Sequence, residues 1–130
     1  MPKIRAFLLK DEDMNNRCYG VLTYNMDTKK FRFQLQPGYT YWEYPPTIDT
    51  AFRLGMKELS PDLMKMFIRE RLIPPNRANI ADILQAAGLK EYDEFGMLMY
   101  TKGKCCQDWM HLEEISLHEY KEYLDKWKIG

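Results

Sequence analysis

The sequence predicts an α+β fold: a small antiparallel sheet of N-terminal hairpin strands, packed against a cluster of three short helices plus a C-terminal helix. Two observations predict it. Residues 30 to 36 alternate apolar and polar side chains, which is the period of a strand with one face in water. Residues 60 to 103 carry apolar side chains at helical spacing between recognisable start and stop signals. Strands followed by a run of helices are typical of the α+β class.

Length and composition narrow the class of protein. The chain has 130 residues, about the length of one domain, so we expect a single domain over residues 1–130. Hydrophobic residues make up 45% and charged residues 29%, which is typical of globular proteins and not of disordered or membrane proteins. Three cysteines, two of them adjacent, do not indicate a disulfide framework. We therefore expect a reduced, cytoplasmic protein without a membrane partner.

Three strands are expected in the N-terminal third of the chain. Residues 4–9 and 18–24 are short apolar runs separated by a turn rich in Asp and Asn. The second run should form a hairpin with residues 30–36 across the turn at 25–29. Residues 109–115 are expected to return as a further strand, with Met110 and Leu112 on one face and a partner strand that the sequence does not identify.

Four helices follow from apolar spacing and capping residues. The first predicted helix begins at Ser60 and Pro61 and ends before Pro74, and the second ends at Gly88. Asp93 caps a third helix, and Ser116 with Glu119 forms a capping box for a fourth. Their apolar stripes are Leu63, Met64, Phe67, Ile68 and Leu72; Ile80, Ile83, Leu84 and Ala87; Phe95, Leu98 and Met99; and Leu117, Tyr120, Leu124 and Trp127.

The segment between the hairpin and the helices is unusually aromatic. We interpret residues 37–59 as an aromatic loop, inserted into the fold, with a short helical turn in its second half. Tyr and Trp carry much of the binding energy in protein interfaces, so the aromatic residues at its start are candidate partner-binding residues. Some of these rings could instead cover the hydrophobic core. The candidates are Tyr39, Tyr41, Trp42 and Tyr44.

A basic window lies in the middle of an otherwise balanced chain. Lys plus Arg and Asp plus Glu number 19 each, so no global charge favours nucleic acid or an anionic membrane. Arg69, Arg71 and Arg77 nevertheless lie close together in sequence and could form a patch for an anion or an acidic partner. The alternative is a solvated helix face whose arginine stems cover the edges of the core.

The sequence contains no recognised catalytic or metal-binding motif. It has no Gly-rich phosphate loop after a strand, no nucleophile elbow, no CxxC and no HExxH. Cys105 or Cys106 with His111 could form a thiol nucleophile, but small filler residues are the more ordinary interpretation. The spacing of these residues matches no zinc site. We therefore predict no enzyme activity, no metal and no cofactor.

The stretch from residue 67 to 108 resembles the first N-terminal subdomain of HipA-type serine/threonine kinase toxins. The matching positions are Leu72, Pro74 or Pro75, Arg77, Asp93, Phe95, Leu98 and Gly103, which fit that family's proline–arginine turn and its "D-x-F-x-L-L" helix followed by glycine. The preceding stretch YGVLTYNMDTKKFRFQL is similar to the family's hairpin. The resemblance covers roughly residues 4 to 115. It does not extend to the aromatic insertion or to the C-terminal helix.

The resemblance implies a non-enzymatic binding protein. No kinase body follows the subdomain in this sequence, as in split HipA-like systems in which a small protein is encoded separately from its kinase and restrains it. The implied function is an antitoxin-like or regulatory partner of a HipA-type kinase. The alternative is another binding protein of a mobile element or phage, either a nucleic-acid accessory protein or an inhibitor of a host factor. Nucleic acid is not the favoured partner, because the chain has no net charge.

Replacement of Trp42 tests whether the aromatic segment is an interface. If this ring anchors a partner, Trp42→Ala should weaken partner binding at least tenfold, because interface hot spots are worth about 2 kcal/mol or more. The thermal unfolding midpoint should stay unchanged. Calorimetry on the isolated protein and a pull-down with the partner measure the two effects, and a large drop in the midpoint would instead place Trp42 in the core.

Overall fold

A four-stranded antiparallel sheet forms the centre of the molecule. The computed structural model describes residues 3–40, 43–105 and 108–127. The strands are β1 Ile4–Asp11, β2 Arg17–Asn25, β3 Lys30–Leu35 and β4 Met110–Ile115. They lie in the order β3-β2-β1-β4, so the predicted hairpin of β2 and β3 is confirmed. The partner of β4, which the sequence did not identify, is β1, and the two strands pair antiparallel.

Five α-helices accompany the sheet in the described part of the chain, and the α+β class is confirmed. They are α1 Pro46–Arg53, α2 Pro61–Arg71, α3 Ile80–Ala87, α4 Glu94–Thr101 and α5 Leu117–Trp127. The predicted caps are present: the Leu63 N–H donates to the Ser60 hydroxyl at 3.3 Å, and the Gly96 N–H donates to the Asp93 carboxylate at 2.7 Å. Gly88 ends α3 in the left-handed conformation. None of the helices in the described ranges combines the length and the apolar character needed to cross a membrane.

Both faces of the sheet are covered. The larger core lies between the sheet and helices α1, α2 and α4, and its centre includes Phe7, Leu9, Phe33, Phe67 and Leu98. The smaller core contains Ala6, Leu8, Val21 and Ile115, against which the tyrosines and tryptophan of α5 pack. Alternate residues of β1 therefore enter different cores, which explains why residues 4–9 are apolar without alternation.

A bulge in β2 decides which side chains enter each core. Leu9 pairs with Gly20 but Lys10 pairs with Cys18, so Tyr19 is an additional residue on this strand. The insertion shifts the alternation by one: Tyr19 packs in the larger core, and Cys18 packs against the smaller one. Gly20 permits this arrangement, because a Cβ atom there would lie 2.3 Å from the Gln34 carbonyl oxygen and 2.6 Å from the Phe33 ring.

The structure corrects two expectations about the helices. In the predicted loop over 37–59, the expected short helical turn is a regular helix of eight residues, α1, which has Pro46 in its first turn and buries Thr47, Ile48 and Ala51. Two buried apolar residues in eight made its period hard to recognise. The stripe of α3 is only half-buried, and none of the α3 residues is fully buried. The apolar face of α3 is therefore partly open to solvent.

An aspartate at a predicted core position should have different effects in α2 and in α3, because the two helices differ in burial. Phe67 is 2% exposed, so Phe67→Asp would bury an unpaired carboxylate and prevent folding. Ile83 is half-buried, and an aspartate there can reach water, so Ile83→Asp should leave a cooperative unfolding transition. Circular dichroism during urea titration measures both variants. Complete unfolding of Ile83→Asp would mean that α3 is as deeply packed as α2.

Candidate functional site

Arg71, one of the three predicted patch residues, lies inside the protein. Its residue exposure is 3%, and its guanidinium forms four hydrogen bonds. Nε donates to the Gly103 carbonyl at 2.6 Å, and the two terminal nitrogens donate to the Asp108 carboxylate at 3.0 and 2.9 Å. A further bond reaches the Met110 carbonyl at 3.2 Å. Arg71 is therefore a structural residue, and the prediction that it belongs to a surface patch is wrong.

The Arg71–Asp108 pair is electrostatically matched. Burial raises the pKa of the Asp108 carboxyl, but hydrogen bonds from Arg71 and from the Met110 N–H outweigh burial and hold that pKa below its usual value. The carboxylate therefore stays ionised, and paired with Arg71, to a lower pH than an ordinary aspartate would. The pair joins the end of α2 to the chain after α4 and to the start of β4.

Arg69 and Arg77 are both exposed, but they belong to different surroundings. Arg69 lines a groove on one flank of α2. Arg77 lies in the turn before α3 and is not one of the residues that line this groove. The predicted patch of three arginines therefore separates into a buried residue, a groove residue and a turn residue.

The two aromatic candidates that lie in the described residues, Tyr44 and Tyr39, differ in burial. Tyr44 is 7% exposed and packs in the larger core, where its ring contacts those of Tyr39 and Phe52 and its hydroxyl donates to the Gln36 carbonyl. Its role as an exposed anchor is therefore wrong. Tyr39 is half-buried, and the Arg17 guanidinium lies 5.1 Å from its ring centre. Tyr41 and Trp42 lie outside the described residues.

The largest groove lies between the turn after β1, the start of α1 and the end of α2. It has a volume of about 680 Å³. Its floor is apolar, with Tyr44, Ile48, Phe67 and Met110 among the lining residues, and Met14 at its edge is 43% exposed. We call this surface the acidic groove, because its charged lining residues are Asp11, Arg17, Glu43, Glu70 and Asp108.

Two carboxylates of the acidic groove have no cationic partner among the described residues. Arg17 lies 3.7 Å from Glu43, and Asp108 is paired with Arg71. Asp11 accepts a hydrogen bond from the Tyr19 hydroxyl at 2.8 Å, and Glu70 accepts one from the Thr47 hydroxyl at 2.6 Å. These bonds fix the positions of the two carboxylates without neutralising them. The groove therefore presents negative charge beside an apolar floor.

A second groove of about 520 Å³ lies on the opposite flank of α2, beside the edge of β3. Its apolar lining consists of Phe31, Leu59, Pro61, Met64 and Ile68. Its charged lining consists of Lys29, Lys30, Arg32, Lys65, Arg69, Glu58 and Glu94. Arg32 is paired with Glu58 at 2.8 Å, which leaves four cations against one carboxylate. We call this surface the basic groove.

The basic groove contains residues that the sequence interpretation missed. Lys29 and Lys30 lie at the hairpin turn and come together with Lys65 and Arg69 of α2 only because β3 packs beside that helix. The adjacent lysines were visible in the sequence, but nothing in their spacing connected them to α2.

The cysteine and histidine candidates do not form a catalytic arrangement in the described part of the chain. The Cys105 thiol donates to the Asp108 carboxylate at 3.6 Å, and that carboxylate is already paired with Arg71, so the predicted thiol–His111 pair is not formed. Nδ1 of His111 instead faces Glu12 at 3.4 Å. Cys106 lies outside the described residues. Within residues 3–40, 43–105 and 108–127, no three His, Cys, Asp or Glu side chains come together as a metal site requires.

Comparison with known proteins adds no family to this description: no protein-family model, no curated protein and no solved structure matches the chain. The features of this protein that bear on its function are therefore its fold class and the two grooves, one on each flank of α2.

Substitution of Arg71 tests its structural role. Arg71→Ala should lower the free energy of unfolding by about 2–4 kcal/mol, since it leaves buried carbonyls and a partly buried carboxylate without donors. Arg77→Ala, the matched exposed control, should change it by less than about 0.5 kcal/mol. Urea denaturation at neutral pH measures both, and equal effects would contradict the structural role.

The same pair predicts a pH dependence. A carboxyl whose pKa is lowered on folding stabilises the protein above its unfolded pKa, and the effect is lost as the pH falls through the folded pKa. Wild-type protein should therefore lose more stability than Asp108→Asn between about pH 5 and pH 2. Urea titrations across this range give the two slopes, and parallel curves would contradict the assignment.

Proposed function

We propose that this protein is a non-enzymatic protein-binding module, and that its partner is a HipA-type serine/threonine kinase that it regulates in the manner of an antitoxin. The observation that carries the first part is the acidic groove, which combines an apolar floor with two carboxylates that lack cationic partners among the described residues. The second part rests on the resemblance of residues 4 to 115 to the HipA N-terminal subdomain.

The acidic groove has the properties of a docking site for an apolar segment that carries a basic residue. Protein interfaces combine a desolvated apolar centre with a polar rim, and arginine is enriched among the residues that dominate their energy. Asp11 and Glu70 are held by Tyr19 and Thr47, so they can receive a guanidinium without losing further side-chain entropy. Electrostatic complementarity would also accelerate association with a basic surface.

The aromatic segment borders this groove. Glu43 and Tyr44 line it, and Tyr39 packs against Tyr44 with ring centres 5.5 Å apart. A partner that enters the acidic groove would therefore pass close to the segment in which Tyr41 and Trp42 remain candidate anchors. Tyr44 contributes to such an interface by shaping the groove and not by projecting from it.

A nucleic-acid accessory role is the second candidate function. The basic groove supports it, because four cations with one opposing carboxylate could contact phosphates. Two observations make it the less favoured candidate: Arg71 is buried, and the chain carries no net positive charge.

Neutralisation of the acidic groove tests the proposal. The tagged protein should co-purify with the HipA-type kinase encoded beside its gene, and Asp11→Asn with Glu70→Gln should weaken that binding at least tenfold. Both replacements can still accept the hydrogen bonds from Tyr19 and Thr47, so the fold should be retained. Calorimetric titration of the purified kinase measures the change.

The matched control is Asp125→Asn with Glu91→Gln, which removes two exposed carboxylates outside both grooves and should leave binding unchanged. Equal affinities for the two double variants would remove the acidic groove from the interface. A gene neighbourhood without such a kinase, or a kinase that does not bind, would overturn the assignment of the partner.

A further inference from the structure

The basic groove lies where one edge of the sheet is left open. Residues 57–59 form an isolated antiparallel bridge to β3: the Leu35 N–H donates to the Lys57 carbonyl at 2.9 Å, and the Leu59 N–H donates to the Phe33 carbonyl at 3.0 Å. After Leu59 the chain turns away from the sheet, because Ser60 caps α2 and Pro61 begins it. On its side away from β2, the first half of β3 therefore has no strand beside it among the described residues.

Successive residues of β3 direct their backbone N–H and carbonyl groups alternately towards β2 and away from it. The N–H of Leu35 and the carbonyl of Phe33 face outwards, away from β2, whereas the N–H of Gln36 faces inwards and donates to the Tyr19 carbonyl at 2.9 Å. The register of β2 with β3 is continuous from Gly20–Leu35 to Asn25–Lys30. Strand geometry then directs the N–H and carbonyl of Phe31 outwards as well. They face the basic groove, which Phe31 lines.

The side chains around this open edge define what could pair with it. Leu59, Met64 and Ile68 are buried and form an apolar floor. No ion pair joins Lys29, Lys30, Lys65 or Arg69 to a carboxylate of the described residues, whereas Arg32 is neutralised by Glu58. A strand that entered here would alternate as β3 does: side chains level with Phe31 would lie on the apolar floor, on the side of the sheet where α2 carries Lys65 and Arg69, and those between them would lie on the opposite face with Lys30.

We propose that the basic groove binds an extended acidic segment of a partner protein, which adds to β3 at Lys30–Arg32 and continues the lane begun by residues 57–59. Backbone hydrogen bonds to Phe31 would supply affinity, and apolar residues of the segment would contact Leu59, Met64 and Ile68. The alternate Asp or Glu residues would lie beside Lys30, and Lys65 and Arg69 at the rim of the floor would attract the acidic segment as a whole. This inference rests on protein binding as the function but not on the identity of the kinase.

The surroundings favour a protein segment over a nucleic acid. Proteins that bind single strands present aromatic faces on which bases stack. Phe31 is the aromatic residue of this groove, and its ring already packs against Tyr24 at 4.7 Å and Phe95 at 6.5 Å. An open backbone edge, in contrast, is a feature that a polypeptide can satisfy and a phosphate backbone cannot match in register.

Synthetic peptides test the proposal on the complete protein. An eight-residue peptide of alternating Glu and Val should bind, with fluorescence anisotropy as the measure, and a peptide of alternating Lys and Val should bind at least tenfold more weakly. Lys65→Glu with Arg69→Glu should reduce binding of the acidic peptide at least tenfold. Lys121→Glu with Lys126→Glu, on the exposed side of α5, is the matched control and should bind normally.

Backbone N-methylation tests strand addition directly. Two versions of the acidic peptide carry methyl groups on one or the other alternate set of amides. One version should lose binding at least tenfold, because only one set of N–H groups can face β3. Amide resonances of Lys30, Phe31 and Arg32 should shift when the unmethylated peptide binds.

Three results would overturn the proposal. Equal binding of both methylated peptides would exclude strand addition, and equal binding of acidic and basic peptides would exclude charge complementarity. Tighter, competing binding of a single-stranded oligonucleotide would assign the groove to nucleic acid. Because the charge-reversal variants lie on the opposite flank of α2 from the acidic groove, their effect is independent of whether the kinase binds there.

Discussion

The bidentate ion pair of Arg71 with Asp108 is the centre of a hydrogen-bond network that connects three separate parts of the chain. One guanidinium joins the end of α2, the carbonyl of Gly103 after α4 and the first residue of β4. Gly103 accepts this bond in a cramped position, since a Cβ atom there would lie 2.6 Å from the Leu112 side chain. The Leu112 N–H in turn donates to the Lys102 carbonyl at 2.8 Å. A partly buried ion pair therefore helps the apolar core to fix the position of the helices over the sheet.

This arrangement places α2 between the core of the protein and both of its charged grooves. Its inward face supplies Leu63, Met64, Phe67 and Ile68 to the larger core, and its two flanks border grooves of opposite charge. A chain with 19 basic and 19 acidic residues thus has strongly charged local surfaces that cancel in the total. Formal net charge excluded a globally basic protein, but it could not report this separation.

Local signals in the sequence predicted local structure well. Ser60, Asp93, Gly88 and the capping box at Ser116 identified helix ends because capping is decided by neighbouring residues, and the hairpin turn followed from the strands on either side. The pairing of β4 with β1 and the burial of Arg71 depend on residues far apart in the chain. No local pattern distinguishes an arginine that will meet a distant Asp108 from one on a solvated helix face.

The difference between local signals and contacts far apart in the chain also explains why the predicted site residues do not coincide with the observed grooves. Tyr44 and Tyr39 looked equivalent in a cluster of aromatic residues, yet only the fold places Tyr44 under α1 and leaves Tyr39 half-exposed. Arg69 was identified, but its partners in the groove come from the β2–β3 turn. Which residues share a surface is a property of tertiary packing, and the sequence reported only the candidates.

The pairing of β1 with β4 has a consequence for how the molecule is made. Arg5 of β1 and Glu114 of β4 are 109 positions apart, so closing that loop costs substantial chain entropy before any hydrogen bond is gained. During synthesis the hairpin of β1 to β3 can form early, but β1 keeps one edge unpaired until residue 115 has emerged from the ribosome. Through that interval an apolar strand edge is exposed in the nascent chain and can pair with other chains, until β4 takes its place beside β1.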